Sequence, residues 1–222
     1  MKKLLHGILD FRRRVRPTVK DTFSKLALGQ RPDCLLIACS DSRVAVNVFA
    51  STEPGDMLVV RNAGNIVPAP SIDGTSIGDL SEVAVLEFGV EQLGIRSIIV
   101  CGHSECGAIN ALIGNTPNPN MPHLYEWIEN AKGALDPSRF VFHAQKPFAP
   151  QNLVSQRNVL LQLEHLMRYP FIQKRVTEGK LKLYGWWFDI AEAEVYSWDA
   201  DSKSFLVLDE VRAARLIDSI ED

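Results

Sequence analysis

Apolar runs of strand length alternate along this chain with longer segments of helical character, and this alternation restricts the possible folds more than any other feature. The strand candidates are Cys34–Cys39, Met57–Val60, Ser97–Cys101, Leu181–Phe188 and Ser204–Leu208. The first four lack the strict alternation of a half-exposed strand, which favours parallel strands covered by helices on both faces. The pattern predicts a single α/β domain over residues 1–222, with a mainly parallel central sheet of about four strands and one antiparallel edge strand at 204–208.

Apolar spacing also predicts the helices. Residues 79–94 place an apolar stripe on one helical face, and Gly94 follows as a C-cap. Residues 151–168 form the clearest helix, which Pro170 brings to an end. The first 28 residues are predicted to be helical and charged on one side. We expect residues 1–30 to form an N-terminal helical arm that packs on a partner subunit, although an ordinary surface helix fits the sequence equally well.

Composition and charge exclude several classes of protein. Hydrophobic residues make up 46% and charged residues 23% of the 222, which is typical of a globular protein. A net charge of −3 does not favour nucleic-acid binding, and no apolar run approaches the roughly 20 residues that a membrane-spanning helix needs. The N-terminus has only a passing likeness to a signal peptide, because charged residues interrupt its apolar run and no cleavage site follows. We therefore expect a cytoplasmic protein.

Four cysteines in a reducing compartment point to metal binding, catalysis or plain burial rather than to disulfides. Cys34 and Cys39 lie at opposite ends of one predicted strand, about 16 Å apart and on opposite faces, so they cannot share a metal. Cys34 is predicted to be a core residue, and so is Cys101, which ends its own strand. Cys39 remains, together with Cys106 and its neighbour His103.

Two short segments, Cys39–Arg43 and His103–Gly107, each follow an apolar strand directly. Both are therefore expected at the carboxyl edge of the sheet, where α/β proteins bind ligands. Either segment alone is more often an ordinary loop. Together they supply two cysteines, a histidine and a paired Asp and Arg at one edge, and this combination favours a metal site.

The predicted ligands are Cys39, His103 and Cys106. A helix is predicted to begin near Ser104, which would place His103 and Cys106 on one face of its first turn. The helix N-terminus favours the thiolate form of Cys106, which is the form that binds metal. Two cysteines and one histidine form a catalytic zinc set that leaves a fourth position for water, whose pKa zinc lowers to about 7.

Asp41 lies two residues beyond Cys39, on the same side if the chain stays extended. It is predicted either to occupy the fourth metal position or to accept a hydrogen bond from the bound water. Arg43, two residues further on, can hold the Asp41 carboxylate through two hydrogen bonds. The pair would therefore open or close the metal site, depending on whether the carboxylate stays on the guanidinium or moves to the metal.

With these residues assembled, the chain closely resembles the β-class carbonic anhydrases of bacteria and plants. The resemblance rests on Cys39–Arg43 and His103–Gly107, with further matches at Leu26–Gln30, Glu53–Asp56, Val60–Asn65 and Leu183–Trp186. It covers roughly residues 1–210, nearly the whole chain.

The resemblance implies a lyase that hydrates carbon dioxide reversibly to bicarbonate and a proton, by attack of zinc-bound hydroxide. It implies one Zn²⁺ ion per subunit, bound by Cys39, His103 and Cys106. It also implies that Asp41 and Arg43 form a dyad that gates and orients the zinc water.

The family further implies substrate contacts from Gln30 and from the backbone N–H of Gly107, and a homodimer or homotetramer with active sites near the subunit interface. One subgroup carries a regulatory bicarbonate pocket built from Trp, Arg and Tyr. Here those positions are Leu36, Arg61 and Phe188, so only the arginine matches. We therefore expect no closure by bicarbonate, and an open, water-bearing zinc site at neutral pH.

Two other functions fit the same residues. A hydrolase of carbon disulfide or carbonyl sulfide would use the same attack on a linear molecule, and would release sulfide while hydrating carbon dioxide weakly. A zinc-stabilised binding or redox-sensing protein would keep Asp41 on the metal and show no turnover. The presence of Arg43 and Gln30 argues against this last function, because a structural site needs neither residue.

Overall fold

The computed structural model describes residues 1–78 and 80–218 of the chain. Its α-helices are α1 Lys2–Asp10, α2 Arg16–Leu26, α3 Val46–Phe49, α4 Leu80–Glu87, α5 Gly107–Gly114, α6 Pro122–Ile128, α7 Pro150–Met167, α8 Pro170–Thr177 and α9 Glu210–Asp218. Two π-helical segments extend α1 and α4, Phe11–Val15 and Phe88–Gln92, and a 3-10 helix extends α6, Glu129–Leu135.

One twisted sheet forms the centre of the fold. Its strands are β1 Cys34–Cys39, β2 Met57–Asn62, β3 Ser97–His103, β4 Lys182–Asp189, β5 Glu194–Asp199 and β6 Ser204–Val207. Their order across the sheet is β2-β1-β3-β4-β5-β6, with parallel pairing from β2 to β4 and antiparallel pairing beyond β4. The predicted α/β class and mainly parallel sheet are confirmed.

The antiparallel part of the sheet contains two strands rather than the single predicted strand. The predicted edge strand corresponds to β6, whereas β5, which pairs with β4 on one side and with β6 on the other, was not predicted. The strand was missed because Glu194, Ser197 and Asp199 interrupt its apolar residues, so that it contains no continuous apolar run. Ala193, with a φ of 51°, allows the tight turn that leads into β5.

The predicted helices are present with small shifts in their ends. The 151–168 prediction corresponds to α7, and the helical prediction for the first 28 residues is confirmed from Lys2 to Leu26. The 79–94 prediction corresponds to α4 and its π-helical extension, although Asp79 lies outside the described residues. Gly94 follows with a φ of 69°, the left-handed conformation of a residue that ends a helix.

Both faces of the parallel strands are buried, which explains why their sequences do not alternate. In β1, Leu35 and Ile37 pack into the core beneath α7, whereas Leu36 and Ala38 face a second cluster on the other side. Helix α7 crosses β3 and β4 at close range. A Cβ atom at Gly102 would lie only 2.7 Å from a methyl carbon of Val159, so glycine is required where this helix meets β3.

The N-terminal helices expose apolar side chains in the single chain. Neither α1 nor α2 contains a buried residue, and Leu4, Ile8 and Leu9 are each at least half exposed. Two statements remain predictions, namely the packing of residues 1–30 on a partner subunit and the single domain over residues 1–222. Residues 219–222 lie outside the described part of the chain. No helix of the described residues is long and apolar enough to cross a membrane.

Replacing Gly102 tests the contact between α7 and the sheet. We expect Gly102→Ala to lower the free energy of unfolding by about 1–3 kcal/mol, because the added methyl group overpacks the core. The measurement is urea unfolding at a fixed protein concentration. Gly114→Ala is the control, because a Cβ there meets nothing within 4 Å, and its effect should stay within about 1 kcal/mol. Equal stability of the two variants would contradict this account of the packing.

Candidate metal centre

The three predicted ligands meet at the carboxyl edge of the sheet. Cys39 is the last residue of β1 and His103 is the last residue of the neighbouring parallel strand β3, while Cys106 immediately precedes α5. The possible ligand atoms of these residues all lie within 4.8 Å of one another, and all three residues are buried. Parallel pairing brings the two strand ends together, as the sequence analysis predicted.

The predicted helical start near Ser104 is wrong. His103 still belongs to β3 and pairs with Phe188 of β4, and α5 begins only at Gly107. Between them, Ser104 and Glu105 form a turn in which Glu105 has a φ of 54°. His103 and Cys106 therefore do not share a helical face, and this turn brings them together. The segment 103–107 is called the metal loop below.

The geometry of the three ligands fits a tetrahedral metal ion. The Sγ atoms of Cys39 and Cys106 are 4.0 Å apart. Two sulfurs at about 2.3 Å from one tetrahedral zinc ion would be separated by about 3.8 Å. The Nδ1 atom of His103 lies 2.8 Å from the Ser104 carbonyl oxygen and must donate to it, since a carbonyl only accepts. Nε2 is then the unprotonated nitrogen, and it is buried with no hydrogen-bond partner among the described residues.

The two thiols differ in proton affinity. The pKa of Cys39 is lowered because its sulfur accepts a hydrogen bond from the Cys106 thiol and another from the Gly64 N–H, 3.3 Å away. The pKa of Cys106 is raised, since it donates in that pair and is buried, although the N–H groups of Ala108 and Ile109 act in the opposite direction. A metal ion would replace the remaining proton, because metal binding requires both thiolates.

The other two cysteines are not ligands of this centre. Burial raises the pKa of the Cys34 thiol to about 11 and that of the Cys101 thiol to about 12, so both stay protonated. Cys101 is fully buried, which confirms its predicted core position, whereas Cys34 at the start of β1 is only half-buried.

Asp41 lies beside the three ligands but is held by Arg43. The Nε and Nη2 atoms of Arg43 donate to the two carboxylate oxygens at 2.9 and 2.7 Å, and the Arg43 backbone N–H donates to the first of them at 2.9 Å. The guanidinium holds the pKa of the Asp41 carboxyl well below its usual range. Of the two predicted positions for this carboxylate, the structure has the one on the guanidinium.

The three positions of the possible regulatory pocket are otherwise engaged. Leu36 and Phe188 are buried in the core cluster on one face of the sheet. Arg61 donates two hydrogen bonds to the Cys39 carbonyl, at 3.0 and 2.7 Å, and one to the Asp41 carbonyl at 2.7 Å. This arginine therefore supports the backbone on either side of Ser40.

The two predicted substrate contacts lie in different surroundings. Gly107 is the first residue of α5, next to Cys106; it is exposed, and a Cβ there would meet nothing within 4 Å. Gln30 is exposed and lines a surface groove with Phe23, Leu26 and Pro54. The three metal ligands do not line that groove.

Two residues of α7 that were not predicted as site residues hold the metal loop. The Ser155 hydroxyl donates to the His103 carbonyl at 2.7 Å, and the Glu105 N–H donates to the Asn152 side-chain oxygen at 2.9 Å. A usable signal existed, because the buried face of this helix is unusually polar. It carries Asn152, Ser155, Gln156, Asn158 and Gln162.

Comparisons with known proteins point to one family. Residues 34–195 match the family model described as carbonic anhydrase. The carbonic anhydrase of Pseudomonas aeruginosa is 36% identical over 98% of this chain and 96% of its own length, and that of Synechococcus elongatus is 35% identical over 95% and 76%.

Solved structures give the same result. The β-carbonic anhydrase CcaA is 34% identical, covers 93% of this chain and 98% of its own, and superposes with a TM-score of 0.84. One of two tetrameric β-carbonic anhydrases from Sordaria macrospora is 26% identical with a TM-score of 0.72, covering 89% of this chain and 97% of its own.

Removing one sulfur tests the ligand assignment. We expect Cys106→Ser to purify without stoichiometric zinc and without activity, because a serine hydroxyl is a poor ligand beside one thiolate and one imidazole. Metal analysis of the purified protein makes the measurement. Cys34→Ser is the matched control and should keep its zinc. Full metal content in Cys106→Ser would remove this residue from the site.

Proposed function

Because this chain belongs to the β-carbonic anhydrases, lyases that hydrate carbon dioxide, we propose that it works with one zinc ion per subunit held by Cys39, His103 and Cys106. The observation that carries the proposal is the cluster of buried ligand atoms from these three residues, all within 4.8 Å of one another, beside a His103 Nε2 atom that is buried with no hydrogen-bond partner among the described residues. Zinc in such a set supplies Lewis acidity that lowers the pKa of a coordinated water to about 7.

The protein's own contribution begins with the charge of the ligands. Two thiolates and a neutral imidazole give the site a net negative charge, which a divalent cation balances. The N–H groups of Ala108 and Ile109 at the start of α5 stabilise the Cys106 thiolate. The Ser104 carbonyl keeps the His103 ring in the tautomer whose Nε2 is free.

Asp41 acts as an oriented hydrogen-bond acceptor. Its carboxylate remains ionised because Arg43 donates three hydrogen bonds to it, two to Oδ1 and one to Oδ2, so that Oδ2 keeps a lone pair for a further donor. In our proposal the reacting water donates a hydrogen bond to this carboxylate. This hydrogen bond turns a lone pair of the water oxygen toward the substrate carbon. The grip of Arg43 also keeps Asp41 away from the metal, so the site stays open near neutral pH.

We assign the substrate contacts to Gly107 and Gln30. The N–H groups of a first helical turn have no partner inside the helix, and the open space above Gly107 leaves room for a bicarbonate oxygen. Gln30 ends the N-terminal arm, so we propose that it reaches substrate at the subunit interface, in the assembled enzyme rather than in the single chain.

The assembled enzyme is proposed to be a homodimer or homotetramer in the cytoplasm. Residues 1–30 hold eight Lys or Arg and two Asp, a net charge of +6 in a chain whose total is −3. The apolar side of this arm, with Leu4 and Ile8, is exposed in the single chain. A basic, apolar arm is complementary to the acidic remainder of a second copy, and one related enzyme is described as tetrameric. The four unpaired cysteines support the cytoplasmic location.

Stopped-flow hydration of carbon dioxide, from about pH 6.5 to about pH 9 on enzyme of known zinc content, tests the activity and the open site. We expect fast turnover already near pH 7. Activity that appears only above about pH 8 would mean that, at lower pH, Asp41 leaves Arg43 and closes the site. Zinc without hydration at any pH would overturn the proposed reaction. Sulfide release from carbonyl sulfide would then indicate the alternative hydrolase, and no turnover would indicate a binding protein.

Asp41→Ala separates the dyad from metal binding. We expect this variant to keep most of its zinc, since three ligands remain, but to lose most of its turnover because nothing orients the reacting water. Zinc content and carbon dioxide hydration are measured on the same preparation. Asp136→Ala, which removes a surface carboxylate bonded to Ser138, serves as the control. Rates near those of the wild type in Asp41→Ala would take Asp41 out of the mechanism.

A further inference from the structure

Glu105 lies between two of the proposed ligands in a backbone conformation that its side chain disfavours. Its φ of 54° is in the left-handed region, which glycine adopts freely and glutamate rarely does. This conformation turns the chain from the end of β3 into α5, and so brings Cys106 back beside His103. Something outside the loop must hold the conformation.

The side chain of Asn152 forms hydrogen bonds with both the backbone and the side chain of Glu105. The Asn152 Oδ1 atom accepts the Glu105 N–H at 2.9 Å, and its Nδ2 atom donates to a Glu105 carboxylate oxygen at 3.1 Å. Asn152 is 8% exposed and lies in the first turn of α7, where its own N–H donates to the Ala149 carbonyl at 2.9 Å. The backbone of Asn152 is therefore fixed by the helix, and its buried side chain extends from this fixed position to the loop.

The same face of α7 also holds the other side of the loop. Ser155, one helical turn beyond Asn152, donates to the His103 carbonyl at 2.7 Å and accepts from the Trp187 indole N–H at 3.2 Å. Residues three apart on a helix lie side by side. Helix α7 thus holds the residues before and after Ser104 at two neighbouring points, although it supplies no metal ligand.

The carbonyl of Glu105 connects the loop to the dyad. Its oxygen accepts a hydrogen bond at 3.1 Å from the Nη2 atom of Arg43, the same nitrogen that donates to Asp41 at 2.7 Å. The direction of this carbonyl depends on the backbone dihedral angles of Glu105. A change in those angles would therefore move Arg43 as well as the ligands.

From these contacts the geometry points to Asn152 as a positioning residue of the active site. It holds Glu105 in the left-handed conformation, which sets the spacing of the ligands on either side and aims the Glu105 carbonyl at Arg43. The inference rests on the proposed metal role of those ligands and extends it to a residue that touches neither metal nor substrate. Helix α7 is in this way part of the metal site.

Gln151 provides a matched comparison on the same helical turn. Its side-chain amide donates to the Glu105 carboxylate, at 3.2 and 3.3 Å from the two oxygens, and it makes no hydrogen bond to the backbone of residues 103–107. Both Gln151 and Asn152 contact the same side chain. Only Asn152 can affect the dihedral angles of Glu105 directly.

Zinc release from the loaded enzyme to an excess of a chromophoric chelator tests the inference without reference to activity. Four proteins are compared: the wild type, Asn152→Ala, Gln151→Ala and the double variant Asn152→Ala/Glu105→Gly. The cobalt-substituted forms are compared by their thiolate-to-cobalt and d–d absorption bands, which report ligand geometry.

We expect Asn152→Ala to release zinc about 10–100-fold faster than the wild type, as for other outer partners of metal ligands. Gln151→Ala should stay close to the wild type. In the double variant the slower zinc release and the wild-type cobalt spectrum should return, because glycine adopts a φ of 54° without hydrogen bonds from residue 152. A residue that supports only the stability of α7 would show no such rescue.

Two results would overturn the inference alone, namely equal zinc release from Asn152→Ala and Gln151→Ala, or faster release that Glu105→Gly does not reverse. Absence of zinc from the wild type would overturn the proposed function itself, and the inference with it.

If Asn152→Ala does not fold, the pair Asn152→Asp and Glu105→Gln replaces it. Asn152→Asp keeps the acceptor for the Glu105 N–H but sets two carboxylates together, and adding Glu105→Gln restores a donor. If Asn152→Asp releases zinc faster and the added Glu105→Gln does not restore the slower release, the positioning role of Asn152 is also contradicted.

Discussion

The parallel pairing of β1 with β3 is the constraint on which the rest of the site depends. In its register Leu35 lies opposite Ile98 and Ala38 opposite Cys101, so Cys39 and His103 end their strands at the same edge. A slip of one residue would turn every side chain of β1 to the opposite face. The burial of both faces of this strand prevents such a slip, because each face fills a separate core cluster.

Helix α7 supplies the polar groups that hold irregular backbone around the ligands. Besides its contacts with the metal loop, it places Asn158 and Gln162 in the core, where their amides bond to the Gly64 carbonyl and the Val67 N–H at 2.9 Å each. Gly64 in turn donates to the Cys39 sulfur. Because buried main-chain groups must be paired, this polar helix face is a requirement of the site rather than a defect of the core.

The two arginines near the metal ligands, Arg43 and Arg61, have separate partners. The Arg43 guanidinium neutralises Asp41, and Arg61 satisfies the carbonyls of Cys39 and Asp41 on the neighbouring stretch of backbone. The thiols are left to the metal, with the start of α5 directed at one of them. Each charged group therefore has one main partner, and the ligands remain available to a cation.

The sequence by itself determined the fold class, the strands that end at the site and the identity of its three candidate ligands. These follow from local rules, since apolar runs mark buried strands and the ends of parallel strands meet at one edge. Tertiary structure alone decided where α5 begins, because the left-handed Glu105 is held by Asn152, 47 positions further along the chain. It also decided the position of Asp41 on Arg43, and the pairing of β5, whose mixed sequence becomes a strand only between β4 and β6. Such features depend on contacts between distant segments, which no local pattern of residues records.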